Sequence, residues 1–420
     1  MPEIINLADK IKQLLPPELV NFMRVASDVA VSQEQNLYLV GGVVRDLLLE
    51  RTNIDLDLVV EDNAIKLAQQ LVRINQSKIT THPRFGTAKL RWNKWSVDLA
   101  TARSETYTKS GALPTVKPSS LHNDLSRRDF TINTMAINLN PGHYGELIDP
   151  CKGKKDLEHK LIRVLHEKSF TDDASRIWRG LRYEQRLGFQ LETTTLLLLK
   201  RDIPMLETIS GDRIRHELKL VLKEKKPEKV LHRAQELNIL QKLHPSLKGD
   251  GWLAEKFEQA RQLNSANVPL TDIYLALLAY PLTNEDNEHL ILRCRLPKSL
   301  AQILRDTNSI KGKLQSLSQP KLTPSSIYYL LHGYSLSAIA ASLLASDSAV
   351  TSQHIHSYLD KLHYVKSVLS GDDLKRMGVT TGPHIREILH QLHIARLNGE
   401  INTKQGEVKL LHAWLPHRRR

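Results

Sequence analysis

The residues with the most chemistry in them stand close together near the start of the chain. Asp55 and Asp57, in IDLDLVV, are two carboxylates separated by one residue. On a strand, positions i and i+2 point to the same face. Two carboxylates on one face can hold one or two hard divalent cations, and Mg²⁺ in particular takes oxygen ligands and shares them with substrate phosphates. A Gly-Gly turn, Gly41-Gly42 in LVGGVVRD, stands thirteen residues upstream of Asp55. Glycines there let backbone N–H groups approach a triphosphate, and the start of a helix favours anions. Arg45, on that helix, is placed to add a charge-assisted contact. A third acid, Asp98 in VDLA, sits between apolar neighbours, where a carboxylate needs a partner or a metal. Each pattern alone is common on ordinary surfaces; together they are far more specific.

These residues require a frame, and the flanking sequence supplies one. LYLV (37–40) is an apolar run entering the glycine turn, and VVRDLLLE (43–50) starts a helix. IDLDLVV (54–60) alternates with period two, as a half-buried strand does. NAIKLAQQLVRI reads as a helix. Thr87–Trp92 and Ser96–Ala100 read as strands joined by a tight turn at Asn93-Lys94. Ser104–Asn123 carries a glycine, two prolines and several Ser/Thr, which predicts a long loop. From about Lys168 the pattern is helical almost throughout, in DASRIWRGLRYEQRLGF, RIRHELKLVLKE, DIYLALLAYPL and SYLDKLHYVKSVLS among others, punctuated by prolines. No solenoid-type repeat is visible.

The order Gly41, Gly42, Asp55, Asp57, Asp98 resembles the polymerase-β-type nucleotidyltransferase superfamily. DLSRRDFTINTMAIN (Asp124–Asn138) narrows this, being similar to the RRDFTIN signature of bacterial, class II, tRNA nucleotidyltransferases and poly(A) polymerases. The resemblance implies that Arg127 and Arg128 reach the triphosphate, while Phe130, Ile132 and Met135 are core. The segment with Asp149, Pro150, Gly153, Asp156 and Leu157 resembles the family's IDP-x-x-G-x-x-DL stretch and is expected to be structural. TDDASRIWRGLRYEQRLGF (Thr171–Phe189) resembles the base-selecting motif EDxxR, with Asp172 where the family usually has Glu. Asp173 and Arg176 then form the selecting pair, at i and i+3 on one helix face. Arg offers donors only and ionised Asp accepts only. Cytosine and adenine each present a ring acceptor beside an amino donor, so one Asp–Arg pair can read either. Uracil and guanine put a carbonyl where the amino group belongs, and the unpaired groups reject them. Arg179 and Arg182 follow at three-residue steps and are expected to reach phosphates or RNA. SGDRIRHELKLVL resembles the next family helix, with Asp212 in place of its Glu, and Arg213, Arg215 and Glu217 bracing the neck.

The resemblance implies an α+β fold: a polymerase-β-like head with a mixed sheet, followed by a long all-α neck, body and tail. The expected divisions are an N-terminal helical extension (1–34), the head (35–166), the neck with the base-selecting helix (167–226), and a body and tail binding tRNA (227–420). The implied reaction is template-independent addition of CMP and AMP to the tRNA 3′ end. Asp55, Asp57 and Asp98 are the catalytic carboxylates, with Asp55 and Asp57 as Mg²⁺ ligands. Gly41, Gly42, Arg45, Arg127, Arg128, Asp173, Arg176, Arg179 and Arg182 bind nucleotide. Partners are CTP, ATP and the acceptor end and T arm of tRNA. Alternatives are CC-only, A-only or poly(A) addition, or a non-catalytic tRNA-binding protein on the same scaffold.

Composition agrees. Fifty-nine Lys and Arg against 46 Asp and Glu in 420 residues leave a net charge of +13, which suits a polyanionic partner. The two cysteines, Cys151 and Cys294, exclude a disulfide scaffold and a Cys-based zinc site, and suit a reducing compartment. No apolar run approaches the ~20 residues of a membrane span. The N-terminus reads as an amphipathic helix and not a secretory signal, so a cytoplasmic location is expected. The 18 histidines show neither zinc-ligand spacing nor a His-Asp dyad of the phosphohydrolase type.

Overall fold

Seven of the predicted and unpredicted strands join into one mixed sheet. In the computed structural model, which describes residues 4–108, 111–112, 114–263 and 268–414, these strands are β1 (Leu37–Val40), β2 (Leu56–Val60), β3 (Lys78–His82), β4 (Thr87–Trp92), β5 (Trp95–Thr101), β8 (Ala136–Asn138) and β9 (Leu147–Ile148). Their order is β3-β4-β5-β2-β1-β8-β9. Only β2 and β5 pair in parallel; the other neighbours are antiparallel. The β4–β5 turn falls at Asn93-Lys94, with Asn93 at φ 47°. Strand β2 follows period two only at its start: Leu56 and Leu58 are buried with Asp57 exposed between them, but Val59, on the Asp57 face, is buried as well as Val60, so that face opens only at Asp57. The helix Ala64–Asn75 turns its apolar side to the sheet, burying Leu67, Ala68 and Leu71. The helix Pro17–Val31 buries Leu19, Phe22, Met23 and Ala26, and Phe22 stacks on Trp92 of β4 at 4.6 Å.

Two local readings change. Ser104–Asn123 is not a single long loop. Arg103–Thr106 (β6) and Thr115–Pro118 (β7) pair as an antiparallel hairpin, and Leu121–Ser126 is a helix capped by Ser120. Lys109, Ser110 and Leu113 lie outside the described residues. SYLDKLHYVKSVLS is helical only to Asp360; a single 3₁₀ turn, Leu362–Tyr364, and a non-helical stretch follow.

The chain divides into two compact units, Met1–Lys226 and Pro227–Arg420. Among the described residues of the second, every regular element is a helix, packed around buried residues such as Leu231, Phe257, Tyr274, Leu304 and Ile339. Near its C-terminal end Leu369, Leu374, Val379, Leu392 and Leu411 form a cluster of their own. The basic run PHRRR (416–420) lies outside the described residues. Among the described residues no single helix is long and apolar enough to cross a membrane.

Candidate active site

The carboxylates meet because of strand register. Parallel pairing sets Asp57 of β2 directly opposite Asp98 of β5, and antiparallel pairing sets Lys89 of β4 opposite Asp98 on its other side. Lys89 Nζ lies 2.7 Å from Asp98 Oδ2. Asp98 is therefore a half-exposed, paired carboxylate and not a buried unpartnered one. Asp55 precedes β2 instead of lying on it: Asn53 Oδ1 accepts its backbone N–H and turns the chain into the strand. It remains close enough for its charge to act on Asp57. The Asp57 carboxyl opens toward solvent, yet the protein around it desolvates it and, with the charges of Asp98 and Asp55, pushes it up to about 6; Arg128 and Lys89 pull the other way. A cluster of hard oxygens short of positive charge is a donor set that fits a divalent cation.

The glycine turn lies beside this cluster. Gly41 has φ 78°, a conformation that favours glycine, and a Cβ there would sit 3.1 Å from Arg128 Nη1 and 3.4 Å from Asp57 Oδ2, so the turn lies directly against both side chains. The arginine pair after it is organised by Asp124, whose side chain is fully buried. Asp124 Oδ1 accepts from Arg127 Nη2 at 2.6 Å and Oδ2 from Arg128 Nη2 at 2.9 Å. Burial alone would raise the Asp124 carboxyl; Arg128 and Arg127 hold it below its ordinary value. Arg127 also donates to Glu105 at 2.8 Å. Arg45 differs from expectation. It is 3% exposed beneath the turn, donating to Asp46 at 2.9 and 3.0 Å and to Asn133 Oδ1 at 2.7 Å. The neighbouring carboxylate captures it, so Arg45 supports the turn and does not face the cavity.

The motif after Gly153 holds this segment from behind. Asp149 accepts the N–H groups of Gly153 and Lys154 at 2.7 and 2.9 Å, and Thr131 Oγ1 donates to Asp156 at 2.7 Å.

The selecting pair is built differently from the helix face expected. Asp173 follows the short helix Ser169–Asp172 in an extended conformation, and the helix Ser175–Leu187 begins two residues later. Asp173 Oδ1 accepts from the Ser175 N–H (2.9 Å), the Ser175 hydroxyl (2.6 Å) and Arg213. Its Oδ2 accepts no hydrogen bond among the described residues. Burial would raise the Asp173 carboxyl, and Arg213 foremost holds it down. Arg176 is anchored through Nη1 to Ser169 Oγ (2.8 Å) and through Nη2 to the Arg127 carbonyl (2.7 Å). Arg179 pairs with Glu217 at 3.2 Å and Asp129 at 3.5 Å. Arg182 is buried against Glu217 and Glu224, away from any open space.

One cavity of about 610 Å³ unites these groups: Gly41, Gly42, Asp57, Asp98, Arg127, Arg128, Asp173, Arg176 and Arg179 all line it. Asp55, Arg45 and Arg182 do not. Its wall also holds residues the sequence did not single out: Glu105, Tyr107, Asp129, Asn133 and Tyr183. Glu105 and Tyr107 stand on and just after β6, in the stretch that reads as loop. The Tyr107 hydroxyl donates to Glu105 at 2.9 Å, and burial and Glu105 push it up to about 12. Asp129 and Asn133 sit inside RRDFTIN itself, joined by a 3.0 Å hydrogen bond.

A second titratable cluster lies in residues 227–420. His244 Nε2 is 3.3 Å from Asp286 Oδ1, with His289 beside them, a His–Asp contact that their 42-residue separation hides in the sequence. The Ser246 N–H donates to His244 Nδ1 at 3.2 Å, so in the neutral ring the proton is on Nε2 and points at Asp286. Metal-ligating histidines donate, and do not accept, through their second nitrogen.

Residues 37–163 match the family described as Poly A polymerase head domain, and residues 188–250 match one described as probable RNA and SrmB-binding site of polymerase A. The A-adding tRNA nucleotidyltransferase of Geobacter sulfurreducens is 33% identical over 97% of this chain, which spans 48% of that longer protein. The CC-adding tRNA nucleotidyltransferase of Deinococcus radiodurans is 31% identical over 91% of this chain and 90% of its own length. The solved structure of the Thermotoga maritima CCA-adding enzyme complexed with tRNA is 32% identical, covers 99% of this chain and 100% of its own, and superposes with a TM-score of 0.76. With the Asp57–Asp98 cluster, the glycine turn and the Asp173–Arg176 pair on one cavity, the chain belongs to the family of tRNA nucleotidyltransferases and poly(A) polymerases.

Proposed function

We propose that this chain adds CMP and AMP from CTP and ATP to the 3′ end of tRNA without a template, as a cytoplasmic enzyme. The observation that supports this most is one cavity holding both a carboxylate cluster and a base-reading pair. Enzymes of this family generally use a divalent metal, and we take it here to be Mg²⁺, held by Asp57 and Asp98 with Asp55 beside them. A divalent ion held there would supply Lewis-acid chemistry, lowering the pKa of the attacking 3′-hydroxyl and neutralising charge on the α-phosphate and pyrophosphate. Gly41 and Gly42 admit the triphosphate to the backbone, and Arg127 and Arg128, aimed by Asp124, meet its oxygens. Asp173 Oδ2 accepts the amino group of cytosine or adenine, while Arg176 donates to the ring acceptor beside it. Residues 35–166 act as the head and 167–226 as the neck, and 227–420 carry the acceptor end and T arm.

A narrower reading, addition of the terminal A alone, is favoured by the A-adding activity named for the Geobacter relative. Purified chain incubated with tRNAs ending before CCA, after C and after CC, with CTP and ATP singly and together, separates the two. Full CCA addition extends all three substrates; A addition extends only the CC-ended tRNA, and only with ATP. No extension of any substrate overturns both.

A further inference from the structure

Within the second unit, the helices Pro324–Leu331 and Pro383–Leu397 and the stretch after Tyr364 enclose an open cavity of about 380 Å³. Its wall is aromatic and imidazole: Tyr328, Tyr329, His332, His390 and His393, with Lys366 at the edge and no carboxylate. Tyr329 is fixed in place. His393 Nε2 donates to the Val365 carbonyl at 3.0 Å, so its Nδ1 accepts the Tyr329 hydroxyl, also at 3.0 Å. The phenol oxygen in turn accepts from His390 Nδ1 at 3.1 Å. Buried Tyr328 backs the assembly, edge-on to Tyr329 at 5.1 Å and stacked on His332 at 4.6 Å. Tyr329 nevertheless remains 37% exposed, and His332, His390 and Lys366 are exposed with it. A tyrosine held by two histidines yet 37% exposed offers part of its ring to the cavity, and Lys366 is the only Lys, Arg, Asp or Glu among the described residues lining it. Flat rings beside a cation suit a ligand that is itself a flat ring carrying negative charge.

We propose that this cavity seats one unstacked nucleobase of the bound RNA on the Tyr329 ring, with Lys366 meeting the adjoining phosphate. The inference rests on the reading that tRNA is the substrate. Its test is the affinity of the full chain for a fluorescein-labelled tRNA transcript ending in CC, measured by anisotropy across a salt series. Tyr329→Ala weakens binding about tenfold, in line with the loss of one stacked base. Tyr329→Phe, which keeps the ring, stays within about twofold, and Lys366→Ala lowers the salt slope by about one. CTP affinity and Tm stay as in the unmodified chain. Tyr329→Ala binding as tightly as the unmodified chain overturns the proposal and leaves the surface to a protein partner. Tyr329→Phe as weak as Tyr329→Ala places the effect in the hydroxyl and its histidine contacts and not in a stacked base, and also overturns it. An unmodified chain that binds no tRNA removes the functional reading itself, a result distinct from either.

Discussion

Asp173 can read a base only if one oxygen is left free and aimed, and Arg213 secures this from a helix 40 residues away. Arg213 engages Oδ1 together with Ser175, and Oδ2 is left open toward the cavity. Removing Arg213 leaves Asp173 buried with less compensating charge and held through Oδ1 by Ser175 alone. Arg213→Ala is expected to lower the CTP-over-UTP ratio of kcat/KM by about tenfold, the scale at which one lost polar contact erodes discrimination. Single-turnover incorporation from CTP and UTP on one tRNA measures it; an unchanged ratio with intact fold contradicts the positioning role. At this scale the sequence is legible where a residue's partner is the ligand and misleading where its partner is another side chain. Asp57, Asp98, Arg127, Arg128, Asp173 and Arg176 line the cavity as their types suggest. Arg45 and Arg182 have the same chemistry but are captured, one by the adjacent Asp46 and the other by Glu217 on the helix Gly211–Leu222 and Glu224 just after it.

At the scale of elements, the site depends on how RRDFTIN is held. The helix Gly153–Glu158 packs so closely under it that a Cβ on Gly153 would lie 2.2 Å from the Thr131 carbonyl oxygen. No side chain fits without moving the backbone that carries Arg128. Gly153→Ala is expected to cost about 2 kcal/mol, as overpacking does, and to weaken triphosphate binding along with stability. Urea unfolding and CTP titration read both; a variant as stable as the unmodified chain contradicts the tight packing. The strands β1, β2, β4 and β5 and most of the helices are visible in the sequence because their periodicity is local. The β6–β7 hairpin is not. Its Gly, Pro and Ser/Thr content mimics a loop, and what holds it is non-local: Arg103 and Arg127 converge on Glu105, and Arg103 also donates to the Phe85 carbonyl at 2.7 Å. Glu105 and Tyr107 were hidden from the candidate site for that reason. Asp55 fell outside its strand because Asn53, two residues earlier, turns the chain with a side-chain hydrogen bond.

For the whole molecule, the excess of positive charge has two places to act. In the first unit it surrounds a carboxylate cluster that needs cations of its own; in the second it accompanies an all-helical body whose aromatic cavity has Lys366 at its rim. Local periodicity makes the helical character of that body readable, but the cavity depends on residues 36 and 61 positions apart and on a helix that stops at Asp360. The chemistry assigned to the first unit implies a conflict between stability and activity at Asp57. Its folded carboxyl is raised to about 6 against an ordinary value near 3.8, so its ionised form opposes folding. That opposition is absent below about pH 4 and complete above about pH 6. The most direct measurement is therefore Asp57→Asn, assayed for AMP incorporation into CC-ended tRNA, for tRNA affinity, and for Tm without divalent metal at pH 7.5 and at pH 4. Incorporation is expected to fall at least about 1,000-fold, with tRNA affinity unchanged and a Tm higher by roughly 2 °C at pH 7.5, the gain gone at pH 4. Incorporation retained within tenfold, with the fold intact, would contradict the assignment of Asp57 to the chemistry.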